Sequence, residues 1–188
     1  MDVLLGIFSA FGLSASAGLN AYIPLLVIGV IAHYTNLVKL NAPYDALANP
    51  YILILIGILL IIEMLADKIP IANHINDLIQ TFVRPVAGAI VFAASTKVVN
   101  INPIIALACG LLIAGSVHVV KSAAVRPIVT ATTGGVGNVP VSIAEDVTST
   151  VVSLLSILVP IAIAVLMIIA IVFIIWWWAR RTSKKETA

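Results

Sequence analysis

The sequence predicts an all-α integral membrane protein, a bundle of about five to six transmembrane segments with broken or re-entrant stretches near residues 12–24 and 127–141. Three observations predict it. Of 188 residues, 62% are hydrophobic and 10% charged; soluble domains carry roughly a quarter charged residues, so polar surface is too scarce to cover a water-facing globule. Apolar runs recur at the length a bilayer needs, about 20 residues. The polar residues inside those runs fall at helical spacing, which gathers them on single faces.

The first run, Val3 to Ala32, is too long for one plain span and carries GLSASAGLNAYIP at its middle. Two glycines and Pro24 there predict a broken helix or a hairpin. The second segment runs from Tyr51 to about Ala66, the third from about Asn76 to Ser95 and the fourth from Pro103 to about Lys121. The last is one apolar stretch from Val147 to Trp178, interrupted only by Pro160. The stretch is either a long tilted helix kinked at the proline or two segments with a buried turn; no polar loop flanks Pro160, which favours the kinked helix. Residues 1–179 then form a single transmembrane domain, and residues 180–188 a basic cytoplasmic tail.

The orientation follows from that tail. WWWARRTSKK sets an aromatic belt before four basic residues, as at a cytoplasmic interface. Alternation then puts six Lys/Arg inside, Lys39 and Lys97 among them, and four outside. The N-terminal MDVLLGIFSAFG begins with an acid and lacks a basic flank, so it reads as the start of the first helix and not as a secretory signal. Cys109 stands alone and forms no intrachain disulfide. With a net charge of +2 and no basic tract interleaved with aromatics, nothing supports nucleic-acid binding. No nucleophile elbow, zinc-protease motif or Cys/His pair is present, so no enzyme and no cofactor are expected. Glu63, Asp67 and His118 could converge, but the paired Glu-x-x-His helices of a di-metal site are missing, and no metal is expected.

Two stretches echo each other in the same direction. GILLIIEMLADK (Gly57 to Lys68) aligns without gaps to GLLIAGSVHVVK (Gly110 to Lys121), and NDLIQTF from Asn76 is answered by EDVTSTV from Glu145. A parallel internal repeat of two helix hairpins would account for both. Chance likeness between short apolar segments is the alternative. Either way, the charged turns after the second and fourth segments share one membrane side.

Ionisable groups in apolar segments carry the functional argument, because an unpaired charge in hydrocarbon costs several kcal/mol. Glu63 and Asp67 are four apart, on one face of the second segment, with Lys68 following. Asp77, Thr81 and Arg84 make a stripe on the third; His118 and Lys121 share a face of the fourth, with Arg126 beyond it. Ser142, Glu145, Ser149, Ser153 and Ser156 run along the last helix, with Asp146 beside them, and Ser9, Ser16 and Asn20 along the first. Serine stripes are often only close-packing faces, and Glu145 and Asp146 could merely favour a helix N-terminus. The stretch VRPIVTATTGGVGNVPVSIAED, from Val125 to Asp146, is short of charge and rich in Gly and Thr. It is expected as non-helical backbone against a cavity, with its glycines and Asn138 offering binding groups.

The motifs SASAGLNAYIPLL, EMLADKIP, FVRPVAGA, HVVKSAAVRP, TGGVGN and SIAED stand in this order and resemble the family known as domain of unknown function 4126. The likeness runs from about Ser14 to about Pro160. It implies a small multi-helix membrane protein, mainly of prokaryotes, and hence the plasma (inner) membrane. It implies no activity.

The expected function is transport of an ion or small, anionic solute through a polar site inside the bundle. Lys68, Arg84, Lys121 and Arg126 would supply positive charge, Asn20 and Asn138 polar contacts, and Glu63, Asp67 or Asp146 a coupled proton or sodium ion, with Asp77, His118 and Glu145 completing the set. The alternatives are a protein that binds or translocates a lipid headgroup, and a structural subunit whose buried charges specify helix pairing. The partners expected are the lipid bilayer, the solute or headgroup, and a second copy of the chain. A transporter calls for a polar cavity reached from water, a lipid handler for one opening between helices, a scaffold for closed ion pairs.

Overall fold

The computed structural model describes residues 2–68, 70–96 and 101–186, and within them the side chains of 4–68, 76, 78–96, 101–176 and 180. Among these residues the regular elements are all helical: α1 (Asp2–Leu19), α2 (Tyr22–Tyr34), α3 (Pro50–Ala66), α4 (Pro70–Thr96), α5 (Pro103–Val120), α6 (Arg126–Thr133), α7 (Asn138–Leu158) and α8 (Pro160–Glu186). A 3₁₀ turn (Tyr44–Ala48) precedes α3, and a π-helical turn (Lys121–Val125) joins α5 to α6. Prolines open α3, α4, α5 and α8, where the missing N–H has no intrahelical partner to lose. Asn49 and Asn102 cap α3 and α5, each accepting a backbone N–H at 2.9 Å.

Among the described residues, three helices are long and apolar enough to cross a membrane: Leu78–Thr96, Pro103–Thr133 and Asn138–Leu158. Their outer faces, and most of α3 and α8, expose Ile, Leu and Val such as Ile54, Ile58, Leu112, Ile143 and Ile168. Apolar surface facing out with polar residues facing in is the arrangement hydrocarbon favours.

Helix α1 is the hub, packed against α4, α5, α7 and α8. Its residues Ala10, Leu13, Ser14, Ser16 and Ala17 are fully buried. Small residues allow this crowding. The α4–α5 crossing depends on Gly88 and Gly110: a Cβ on Gly88 would lie 2.8 Å from the Gly110 carbonyl, and one on Gly110 2.6 Å from Phe92 Cβ.

The chain reverses after α1. Asn20 meets Asp146 in the first half of α7, whereas Gly29, later in α2, abuts Leu47 just before α3 and Leu53 in its first turn. Helices α1, α3 and α5 therefore run towards one end of the bundle, and α2, α4 and α7 away from it. Of the two expectations for residues 12–24, the hairpin is the one found. The echoed stretches in α3 and α5 run in the same direction, and the charged side chains that follow them meet at the same end.

Two expectations are corrected. The Gly/Thr-rich stretch from Val125 to Asp146 is not a long irregular loop: it is helical except for the turn Gly134–Gly137. Pro127 has no N–H for the carbonyl four residues back and its ring crowds that turn; the helix widens into a π turn just before it and continues. It ends where Gly134 (φ 63°) and Gly135 (φ 92°) take left-handed conformations that glycine adopts without steric cost. The long C-terminal stretch is not one kinked helix either, because Val159 (φ −140°, ψ 66°) leaves the helical region before α8 starts. A residue preceding proline is pushed out of that region by the ring.

Candidate functional site

The site forms where α1 breaks. Asn20 Oδ1 accepts the backbone N–H groups of Tyr22 and Ile23, both at 3.1 Å, and so caps α2. Its Nδ2 donates to Asp146 Oδ1 on α7 at 2.9 Å. At the other lip of the break, Lys121 Nζ donates to the Leu19 carbonyl at 3.0 Å, which satisfies a helix C-terminus with a cation. Side chains from α5 and α7 thus hold the reversal in place. Below it, Ser16 bonds Ser149 and Ser153 at 2.7 and 2.6 Å, tying α1 to α7 along a serine ladder.

Among the described residues four ion pairs surround the break. Arg84, fully buried, donates to Glu63 Oε1 at 2.8 Å. Its other terminal nitrogen lies 3.2 Å from His118 Nδ1. A guanidinium can only donate, so Nδ1 is the acceptor of this contact, and Nε2 lies 3.2 Å from Thr81 Oγ1. Asp67 accepts from Arg126 and Ser142 at 3.2 Å each and from Asn76 at 2.7 Å. Burial alone would raise the Asp67 carboxyl; Arg126, Lys121 and Arg84, helped by Asn76, outweigh it and hold it below its ordinary range. Glu145 Oε2 lies 2.7 Å from Lys121 Nζ and 3.5 Å from Arg126.

The expected residues mostly converge. Asn20, Glu63, Asp67, Arg84, His118, Lys121, Arg126, Glu145 and Asp146 form this one cluster. Lys68 stands aside, half-buried, donating to the Met64 carbonyl at 2.9 Å as a C-terminal cap of α3. Asn138 Nδ2 bonds Thr130 Oγ1 at 2.9 Å and links α6 to α7 outside the cluster. The side chain of Asp77 lies outside the described residues. The buried face of α7 is Ser142, Asp146, Ser149, Ser153 and Ser156, so Asp146, not Glu145, continues the serine line. Sequence reasoning missed Ser14, whose hydroxyl bonds the Gly88 carbonyl at 2.8 Å, and Gln80, 2% exposed. Gln80 was legible, being one helical turn before Arg84.

The cluster is short of donors. Glu63 Oε2, Asp146 Oδ2 and Gln80 Oε1 are buried and have no hydrogen-bond partner among the described residues; Arg84 Nε is the one nitrogen in that condition. Four carboxylates (Glu63, Asp67, Glu145, Asp146) and three cations (Arg84, Lys121, Arg126) make up the cluster, with Lys68 near enough to act electrostatically on Asp146. Among the described residues no three His, Cys, Asp or Glu side chains gather as a metal-holding group.

Beside the cluster an open groove of about 490 Å³ lies between α5 and α7, with walls of Val117, Val120, Val141 and Ala144. The Lys121–Glu145 pair lies on its floor.

The family described as Domain of unknown function (DUF4126) matches residues 7–180, and the chain belongs to it. No curated protein and no solved structure matches the chain.

Proposed function

We propose that this member of a family of unknown function is a membrane transport protein whose working centre is the buried network at the Asn20 break, and that the species it receives is a proton or small cation. The observation that carries this is the surplus of buried acceptors: Glu63 Oε2 and Asp146 Oδ2 stand without donors in side chains 1% and 7% exposed. A buried carboxylate oxygen without a donor is costly, and an arriving proton or cation removes that cost. An anion would add to the surplus. For this reason the reading departs from the anionic solute expected on sequence grounds.

A proton fits best, since the ion pairs are closed and a proton needs no cavity. Glu63 and Asp146 would carry it, and Arg84 and Asn20 would hold them in place. Purified protein in liposomes containing a pH-sensitive dye tests this. Under a potassium diffusion potential, internal pH should shift faster than in protein-free liposomes. Glu63→Gln and Asp146→Asn should each remove the shift while keeping the wild-type helical circular dichroism. Sodium tracer uptake without acidification would identify a metal cation instead. Wild-type protein that moves neither ion refutes the proposal.

A further inference from the structure

A proton site makes no use of the groove between α5 and α7. Both its walls belong to helices long and apolar enough to cross a membrane, and Val120, Ala144 and Thr148 on those walls are exposed. The groove therefore opens sideways, towards hydrocarbon. Its volume, about 490 Å³, lies in the range that holds one small organic ligand, roughly 300–1,000 Å³.

Four polar side chains line it, and each already has its partner. The Ser116 hydroxyl donates to the Leu112 carbonyl at 2.6 Å, and the Thr148 hydroxyl to the Ala144 carbonyl at 2.7 Å, each within its own helix. Lys121 Nζ lies 2.7 Å from Glu145 Oε2 and also donates to the Leu19 carbonyl. A polar occupant would have to compete with these bonds. A hydrocarbon chain asks for none.

The dimensions select among apolar occupants. From Ser116 to Val125 one wall advances about 14 Å at roughly 1.5 Å per residue, close to half of a hydrocarbon core about 30 Å thick. That is the depth of one leaflet. The facing wall begins at Val141, one turn inside the start of α7 and at the end of the bundle that carries the charged cluster. Spread over that length, 490 Å³ leaves a cross-section of about 35 Å², less than half that of a helix about 10 Å across. A second copy's helix does not fit; a single extended chain does. We infer that the groove is a resident site for one acyl chain of a bilayer phospholipid, taken from the leaflet at the charged end. The chain lies along α5 and α7 and seals the Lys121–Glu145 pair from the lipid side. This goes beyond the proton reading and does not depend on it.

Two measurements on the whole protein in phosphatidylcholine nanodiscs test it. A phosphatidylcholine with a photoreactive diazirine in its chain should label peptides containing Val117 and Ala144 several-fold more than those containing Ile54, which is exposed on α3. Equal labelling of the two faces would overturn the inference. After transfer to mild detergent, native mass spectrometry should find one phospholipid retained per chain in wild type and in Ile54→Phe. None should remain in Ala144→Phe, which fills the groove from an exposed wall position. Thr148→Trp asks the same question from the same wall if the first variant does not fold. Retention that survives a folded groove-filling variant would overturn the inference, as would wild-type protein that retains no phospholipid. Exchanging phosphatidylcholine for phosphatidylglycerol should leave retention unchanged; retention confined to one of them would overturn it in favour of a headgroup site. A lipid-free wild-type dimer that Ala144→Phe converts to a monomer would overturn it in favour of a second copy of the chain.

Discussion

Replacing Arg84 with Met should be among the most damaging single changes in the protein. The side chain is fully buried, donates to Glu63 Oε1 at 2.8 Å and contacts His118 Nδ1 at 3.2 Å. Removing it leaves a carboxylate 1% exposed with neither oxygen partnered, because Oε2 already lacks a donor. A hydrogen bond to a charged group contributes about 1.5–3 kcal/mol and a neutral one about 1. The two losses sum to about 2.5–4 kcal/mol, overlapping the roughly 3–5 kcal/mol typical of breaking one side of a buried pair. Against a total stability on the order of 5–15 kcal/mol, that is a large share. Replacing both partners, Glu63→Met with Arg84→Met, removes the orphaned charge and should recover stability to within about 1 kcal/mol of wild type. Unfolding in mixed detergent micelles, followed by circular dichroism for wild type, both single variants and the double variant, gives the coupling energy directly. A coupling of about 3 kcal/mol is expected from these magnitudes. Additive single effects would refute the pairing and the donor deficit inferred from it.

Two further outcomes follow from neighbouring groups. Asparagine and aspartate are nearly equal as helix N-caps, but Asn20 also donates to Asp146. Asn20→Asp should therefore be at least as destabilising as Asn20→Ala, by about 2 kcal/mol, in the same unfolding assay; a benign aspartate would show that the Asp146 contact is not made. Asp67, with its carboxyl held low in the folded protein, binds fewer protons there than when unfolded. Its contribution is therefore complete above the unfolded value of about 3.9 and fades as pH falls below it. Acid unfolding curves should show that fall in wild type and a shallower one in Asp67→Asn.

Most of the charged site was legible in the sequence because charge in an apolar run is costly wherever the helices lie. Glu63, Asp67, Arg84, His118, Lys121 and Arg126 stood out on that ground alone, and each has its partner in the structure. Partner identity was not legible, since it depends on which helices adjoin. Composition misled at Val125 to Asp146: Gly and Thr weaken a helix by only about 1 kcal/mol or less per residue, and tertiary packing overrode them. Only Gly134 and Gly135, with positive φ, interrupt it. Pro127, the stronger breaker, was absorbed by the π turn at Lys121–Val125.

That turn also decides where the cations point. On an unbroken α-helix Lys121 and Arg126 are five residues apart and about 140° out of register, so they would not face one partner. A π turn of about 4.4 residues between them brings the two close to one face. Glu145 Oε2 lies within 3.5 Å of both. The proline after Arg126, which looks at sequence level like a helix stop, is thus the feature that lets two cations from one helix converge on one carboxylate. Replacing Pro127 with Ala should restore regular α-helix there, separate the two cations, and lengthen one of their contacts with Glu145. A high-resolution structure of that variant with both contacts unchanged would show that the proline does not set the register.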